Sequence, residues 1–169
     1  MMSHNDKDAH MNLPTPNPLI ISNLEMFVRI IFACFLGCVI GWERERHRNI
    51  ISAGIRTYGA IAMGACAFGI VGLNLAGADP SRIAAQVVTG IGFLGGGIIF
   101  RQGDYVTGLT TAATLWATGA IGLAVSVGMY LTAMLTAVLI FLLLYLPRMP
   151  WWKKISAKYA GHTSKPSED

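Results

Sequence analysis

Residues 109–146 have the sequence LTTAATLWATGAIGLAVSVGMYLTAMLTAVLIFLLLYL, in which no side chain carries a charge. A helix on the surface of a soluble protein needs a polar face, and no part of this stretch offers one. The stretch is about twice as long as the roughly 20 apolar residues that one helix needs to cross a bilayer. It therefore predicts two membrane-spanning helices joined by a turn near Val127 and Gly128.

The composition of the whole chain extends this prediction. Apolar residues make up 53% of the 169 residues and charged residues only 13%, whereas roughly a quarter of an average soluble domain is charged. Between Thr57 and Phe100 the only charged side chains are Asp79 and Arg82. The chain is therefore predicted to be an all-α integral membrane protein, a bundle of about five transmembrane helices.

The apolar segments predict where these helices lie. We place the spans at about 24–42, 57–76, 83–100, 109–126 and 129–146, within one transmembrane domain over 24–146. Residues 1–23 are polar and carry alternating prolines at 14, 16 and 18, which predicts a disordered periplasmic tail. Residues 147–169 are predicted to form a short basic cytoplasmic tail.

The lysines and arginines predict the orientation. A five-span bundle divides the lysines and arginines between its two sides. One side carries Arg44, Arg46, Arg48, Arg56, Arg101, Arg148, Lys153, Lys154, Lys158 and Lys165, and the other carries Lys7, Arg29 and Arg82. Because basic residues favour the cytoplasmic side, the N-terminus is expected outside and the C-terminus in the cytoplasm. The basic residues thus indicate topology rather than nucleic-acid binding.

Glycine is concentrated in the membrane segments, where 18 of the 19 glycines lie between Gly37 and Gly128. Helices in lipid associate through close backbone approach, which small residues permit. On a helical wheel, the bulky residues of the third span form a stripe predicted to face lipid, and its glycines make it the predicted packing centre. The stripe consists of Val87, Ile91, Leu94 and Ile98. The candidate packing glycines are Gly37, Gly41, Gly90, Gly92, Gly95, Gly96 and Gly97.

The glycines of residues 90–95, GIGFLG, also have the spacing of a dinucleotide-binding loop. That motif requires a strand before it, a helix after it, and an acidic residue about 20 residues further on. No acidic residue follows at that distance, and no Gly-Lys-Ser/Thr is present for a phosphate loop. We therefore predict helix packing here rather than a nucleotide, and no cofactor.

Few polar side chains lie within the spans, and such residues are default candidates for function. Gln86 lies early in the third span, and Thr110, Thr111 and Trp116 lie in the fourth. No ionisable residue except tyrosine or cysteine lies near the middle of a span, which disfavours a carboxylate-lined cation path, a metal site or a protease. The chain is therefore predicted not to be an enzyme.

A charged cluster follows the first span, beginning with Glu43, Arg44 and Glu45. One interpretation is an interfacial patch that sets orientation. The other pairs Glu43 with Arg56, which would make the loop a folded docking surface. The remaining candidates of this surface are Thr57, Arg101 and Asp104.

Four ordered motifs resemble the MgtC/SapB family of bacterial inner-membrane proteins. They are GWERE at 41–45, AGIRT at 53–57, RIAAQVVTGIGFLG at 82–95 and GLTTAATLWA at 108–117. The resemblance covers about residues 24–146 and implies a multi-pass protein of the bacterial inner membrane linked to magnesium homeostasis. In its best-studied members it further implies virulence-related growth at low magnesium and contact with the F-type ATP synthase.

Two functions follow from the residues and the resemblance. The first is a non-enzymatic regulator that acts through membrane protein contacts, as a homodimer. The alternative is a magnesium or other small-solute transporter or channel subunit, because the third span resembles the glycine-interrupted helices at transporter sites. Several family members carry a soluble domain after the last span, where this chain has 23 residues beyond Leu146, so the virulence role is not expected to carry over fully.

Overall fold

The computed structural model describes residues 22–46, 53–75, 79–103 and 105–149. These residues form five α-helices, one short β-hairpin and a terminal 3₁₀ turn. The helices are α1 (Asn23–Glu45), α2 (Ile55–Asn74), α3 (Pro80–Gly96), α4 (Leu109–Ser126) and α5 (Tyr130–Tyr145). The strands are β1 (Phe100–Gln102) and β2 (Tyr105–Thr107), and the 3₁₀ turn is Leu146–Arg148. The tails predicted at 1–23 and 147–169 lie mostly outside the described residues.

Local sequence signals set several helix ends. The Ser22 hydroxyl accepts a hydrogen bond from the Glu25 N–H at the start of α1, and Asp79 accepts one from the Ser81 N–H at the start of α3. Both satisfy N–H groups that the first turn of a helix leaves unpaired. Before α4, Gly108 has φ +89° and lies against the Ile98 carbonyl, so both the backbone conformation and the space require glycine.

Four of the described helical segments are long and apolar enough to cross a membrane: α1, α2, α4, and α5 together with the 3₁₀ turn. The fifth, α3, has 17 residues. The predicted all-α membrane bundle of about five helices is confirmed.

The third predicted span extends too far. Helix α3 ends at Gly96, and Phe100 begins a two-stranded antiparallel hairpin in which it pairs with Thr107. Glycine is a poor helix former, so the run at 95–97 weakens the last turn. Gly103, with φ +59°, then lies at the hairpin turn. The predicted boundary at residue 100 is therefore wrong by four residues.

The core lies between α1, α2 and α4. Its fully buried large side chains include Tyr58, Leu115 and Ile121. Backbones approach closely here: a Cβ added at Gly37 would lie 2.5 Å from the Tyr58 carbonyl oxygen, and one at Gly41 would lie 2.6 Å from the Ile55 Cα. Other glycines, which the sequence pattern did not indicate, meet neighbouring atoms as closely. These are Gly59, Gly69, Gly119 and Gly122.

Helix α3 is not the packing centre of this chain, contrary to the prediction. Its buried residues are Ile91 and Gly95, and Ile91 packs on Gly119 of α4. Part of the stripe expected to face lipid therefore faces the bundle, because a bulky side chain fills the space beside a glycine and gains dispersion contacts there. Gly95 touches Ala112, and Gly97 meets only carbonyl oxygens of its own helix. At Gly90, Gly92 and Gly96 an added Cβ would meet nothing within 4 Å.

The described arginines are segregated between the two ends of the bundle. We call one the arginine-rich end; it carries Arg44, Arg46, Arg56, Arg101 and Arg148. The opposite end carries Arg29 and Arg82. The element order places the end of α1, the starts of α2 and α4, and the end of α5 together at the arginine-rich end.

Candidate functional site at the arginine-rich end

Glu43 lies in the last turn of α1 and is only 4% exposed. Its Oε1 lies 2.6 Å from Nη1 of Arg148, which belongs to the 3₁₀ turn after α5. The predicted pair of Glu43 with Arg56 is wrong, because Glu43 faces the end of α5 while Arg56 is exposed on the first turn of α2. Arg148, which the sequence indicated only as a topology signal, is thus a residue of the site.

Arg44 lies beside Glu43 and reaches α4. Its Nη2 donates a hydrogen bond to Oγ1 of Thr111, which is fully buried. Its Nε is buried without a hydrogen-bond acceptor. Among the residues that the structure describes, no carboxylate forms an ion pair with Arg44. A partly buried guanidinium is therefore held here against a neutral hydroxyl.

Glu45 connects α1 to the start of α2. Its Oε2 accepts a hydrogen bond of 3.1 Å from the Ile55 N–H. The N-cap residue of α2 is Gly54, which has no side chain to cap the helix. Because the first N–H groups of a helix lack internal acceptors, the Glu45 carboxylate supplies the cap from another helix. Glu45 thus fixes the end of α1, which carries Glu43 and Arg44, to the start of α2.

Threonines of α4 and a tyrosine of α2 are linked by hydrogen bonds next to the site. The buried Tyr58 hydroxyl lies 2.6 Å from Oγ1 of Thr114. Thr114 Oγ1 also lies 2.9 Å from the Thr110 carbonyl oxygen, and Thr118 Oγ1 donates to the Thr114 carbonyl. These hydroxyls are satisfied within the bundle, as buried polar groups must be. Tyr58 was not identified from the sequence.

A cavity of about 340 Å³ opens between the end of α1, the start of α4, and the end of α5 with its 3₁₀ turn. One side is charged or polar and the other is apolar. Its lining residues are Glu43, Arg44, Thr110, Leu143, Leu144, Pro147 and Arg148. Two arginines and one glutamate give the lining a formal charge of +1. The lining therefore favours an anion over a cation.

The other predicted site residues are not brought into this cavity. Arg101 is exposed on β1, and its Nε donates to the Gly103 carbonyl. Trp116 is half-exposed on α4. Thr57 and Gln86 both line an apolar groove of about 720 Å³ between α2 and α3. Asp104 lies outside the described residues.

At the opposite end, Arg29 forms a buried contact that sequence analysis counted only for orientation. Its Nη1 donates to the Ser126 carbonyl at the end of α4, and its Nη2 lies 2.5 Å from a Glu25 carboxylate oxygen. The guanidinium also lies 5.9 Å from the centre of the Tyr130 ring. Arg29 thus fastens α1 to the turn between α4 and α5. An arginine within the second turn of an apolar span was the available indication.

Metal-ligand side chains are not clustered in the described residues, where no three histidines, cysteines, aspartates or glutamates come together. Cys34 and Cys38 lie partly buried in α1 next to Gly59, and Cys66 is buried in α2.

Comparison with known proteins gives consistent matches. The profile of the MgtC family matches residues 30–149. The chain is 44% identical over 115 residues to YhiD of Escherichia coli K12, a protein named as a candidate magnesium transporter. The aligned region covers 63% of this chain and 53% of YhiD. It is 41% identical over 113 residues to MgtC of Salmonella typhimurium strain 14028s, covering 67% of this chain and 48% of that protein.

A third relative, MgtC of Brucella abortus, is 46% identical over 110 residues, covering 64% of this chain and 45% of its own length. The chain thus spans about half the length of the curated relatives that it matches. No solved structure matches it. The matched region includes every described residue of the cavity lining.

Proposed function

Because the chain belongs to the MgtC family, we propose that it serves magnesium homeostasis as a non-enzymatic regulator that acts through contacts with membrane proteins. It is a multi-pass membrane protein with magnesium-related relatives. We place it in the bacterial inner membrane, with the arginine-rich end in the cytoplasm as the positive-inside rule directs. The F-type ATP synthase is the proposed partner.

The observation that carries this proposal is the charge of the cavity. Magnesium is bound by oxygen ligands, commonly one or two carboxylates together with water. Glu43 is the buried carboxylate of the described residues, and it is paired with Arg148 and next to Arg44. A cation in this cavity would face a lining of formal charge +1, which opposes conduction and favours a regulatory role.

Exposed surface supports action through contacts. Gly92 and Gly96, one helical turn apart, lie on an open face of α3, and Phe93 is 82% exposed beside them. Small residues on a membrane helix permit a second helix to approach closely. We propose that this face joins two copies of the chain, so that the regulator is a homodimer.

The alternative function is a transporter or channel subunit for magnesium or another small solute. The groove between α2 and α3 favours it, because Gln86 places an exposed amide in that groove at membrane depth. Helix α3 also ends early, at Gly96. Interrupted helices line the substrate sites of many transporters.

Cation flux distinguishes the two functions. Proteoliposomes that contain only this protein should take up labelled magnesium no faster than empty liposomes. Uptake above that level, abolished in Gln86→Leu, would contradict the regulator and support the transporter.

A second experiment addresses the partner. Inverted membrane vesicles containing the protein should show slower ATP-driven proton pumping by the F-type ATP synthase than vesicles without it. Equal pumping rates in the two preparations would remove the ATP synthase as the partner.

A further inference from the structure

We propose that the cavity at the arginine-rich end binds a phosphate-type oxyanion, and that the form it fits best is the headgroup of an anionic phospholipid. The site goes beyond the proposed regulatory function. Its ligand would be held by Arg44 and Thr110, with an apolar wall from α5 and the 3₁₀ turn.

No described carboxylate balances the charge of Arg44. Its side chain is partly buried, its Nε has no hydrogen-bond acceptor, and its Nη2 bonds to a neutral hydroxyl of Thr111. Removing an ion from water is costly unless an opposite charge or several hydrogen bonds replace the water. Because no described carboxylate pairs with Arg44, we infer that an anion from outside the chain balances its charge.

The single carboxylate of the described cavity lining, Glu43, does not pair with Arg44. Glu43 is paired with Arg148 at 2.6 Å, so the carboxylate of the lining is already engaged by an arginine other than Arg44. A planar guanidinium donates two parallel hydrogen bonds to a phosphate, which suits this chemistry better than a halide.

The start of α4 also favours an anion in the cavity. Thr110 lies in the first turn of this 18-residue helix and lines the cavity. The N-cap residue, Gly108, contributes no side-chain hydrogen bond to the first turn. The positive end of the helix dipole therefore adds to the charge of Arg44 and favours an anion at the same place.

The remaining wall selects the kind of phosphate. Leu143 and Leu144 at the end of α5 and Pro147 in the 3₁₀ turn are apolar, and Leu143 is 65% exposed on the outside of the bundle. A phospholipid presents an anionic phosphate next to an acyl chain, so it matches both sides of the cavity. The proposed orientation places this end in the inner leaflet, where anionic headgroups attract basic residues.

The test measures lipid retained by the full chain. We would purify the protein from nanodiscs of phosphatidylcholine mixed with phosphatidylglycerol and count bound lipids by native mass spectrometry. The wild type should retain phosphatidylglycerol over phosphatidylcholine. Arg44→Gln, which keeps a donor for Thr111 but loses the charge, should retain about tenfold less, as expected for one lost charge-assisted hydrogen bond. Arg46→Gln is the matched control, because Arg46 is exposed and lies 5.3 Å from the Trp42 ring.

A second variant keeps the result interpretable if Arg44→Gln folds poorly. Thr110→Glu adds a carboxylate to the first turn of α4, where an acidic residue stabilises a helix. It should fold at least as well as the wild type and lose phosphatidylglycerol, because the new carboxylate neutralises Arg44. Gln102→Glu makes the same charge change on the exposed strand β1 and should retain the lipid.

A separate arm distinguishes a soluble oxyanion from a lipid. Inorganic phosphate added to protein in pure phosphatidylcholine nanodiscs would raise the thermal midpoint of the wild type but not of Arg44→Gln if the natural ligand is soluble. Either response supports the site and assigns its source. If neither lipid retention nor the phosphate response differs between the wild type, Arg44→Gln and Thr110→Glu, the proposal is overturned. No partner protein or magnesium is present, so the outcome does not depend on the regulatory function.

Discussion

Gly122 and Gly64 are both glycines in the interior of a membrane helix, but their surroundings differ. A Cβ at Gly122 would collide with the Ala62 carbonyl oxygen of α2, whereas a Cβ at Gly64 would meet nothing within 4 Å. The first glycine is therefore required by the distance between two backbones. The second occupies open space beside the groove between α2 and α3.

Alanine substitutions at Gly122 and Gly64 should distinguish a glycine required by close backbone contact from one in open space. Gly122→Ala is expected to lower the free energy of unfolding by about 1–3 kcal/mol, because the added methyl group forces α2 and α4 apart. Gly64→Ala should leave it unchanged or raise it, since alanine is the better helix former. Both are measurable by thermal unfolding in detergent. Equal midpoints for the two variants would show that α2 and α4 do not approach as described.

Arg29 should contribute to stability through its contacts at the opposite end. Arg29→Met removes the hydrogen bond to the Ser126 carbonyl and the pair with Glu25. We expect a loss of about 1–3 kcal/mol, typical of a buried hydrogen bond to a charged group. Unfolding in denaturing detergent would measure it, with the exposed Arg82→Met as the control. An equal effect of both substitutions would indicate a general charge effect instead.

Single residues also show where sequence inference reaches its limit. The pattern identified Glu43 and Arg44 as a candidate site because charges beside a span are costly and localised. It did not identify the partner of Glu43. That choice depends on the rotation of α1 relative to α5, which no local pattern specifies, and α1 turns Glu43 towards Arg148 rather than Arg56.

At the scale of elements, α3 shows a similar limit. Its periodicity separates a bulky face from a glycine face. It does not indicate which of the two faces packs against the rest of the protein. In water the apolar face must be inside, whereas in a bilayer lipid and protein are both apolar. The surface of α4 decides the matter, because Gly119 leaves a space that Ile91 fills.

The open face of α3 leads to a prediction about association. Gly92→Leu and Gly96→Leu should leave the chain folded, because their side chains meet nothing in the single copy. Both should abolish crosslinking between copies in membranes, because bulk prevents close approach of the second helix. Val138→Leu, at an exposed position of α5, should crosslink as the wild type does. If the glycine variants crosslink as much as the wild type, the proposed dimer interface is wrong.

At the scale of the whole molecule, the segregated arginines predict a single orientation. In a cysteine-free background, Ser81→Cys should react with a membrane-impermeant maleimide in intact spheroplasts. Gln102→Cys, at the arginine-rich end, should react only after lysis. Both positions are exposed, so burial does not explain the difference. Labelling in the reverse pattern would overturn the proposed topology.

The number and approximate limits of the helices follow from the sequence, since apolar length and end signals such as Asp79 and Gly108 are local. The arrangement of α1, α2 and α4 around one core does not. It depends on contacts between residues far apart in the chain, such as Gly37 with Tyr58. The cavity could not be predicted for the same reason, because its walls come from three separate segments.

The length of α3 has a consequence for the surrounding membrane. Its 17 residues, at about 1.5 Å each, extend about 25 Å, whereas a typical hydrocarbon layer is about 30 Å thick. Lipids along this flank must compress to match the helix, at a cost that grows with each ångström of hydrophobic mismatch. Two copies that meet through α3 would share one thinned annulus in place of two. The bilayer itself would then favour their association, and thinner membranes would weaken it.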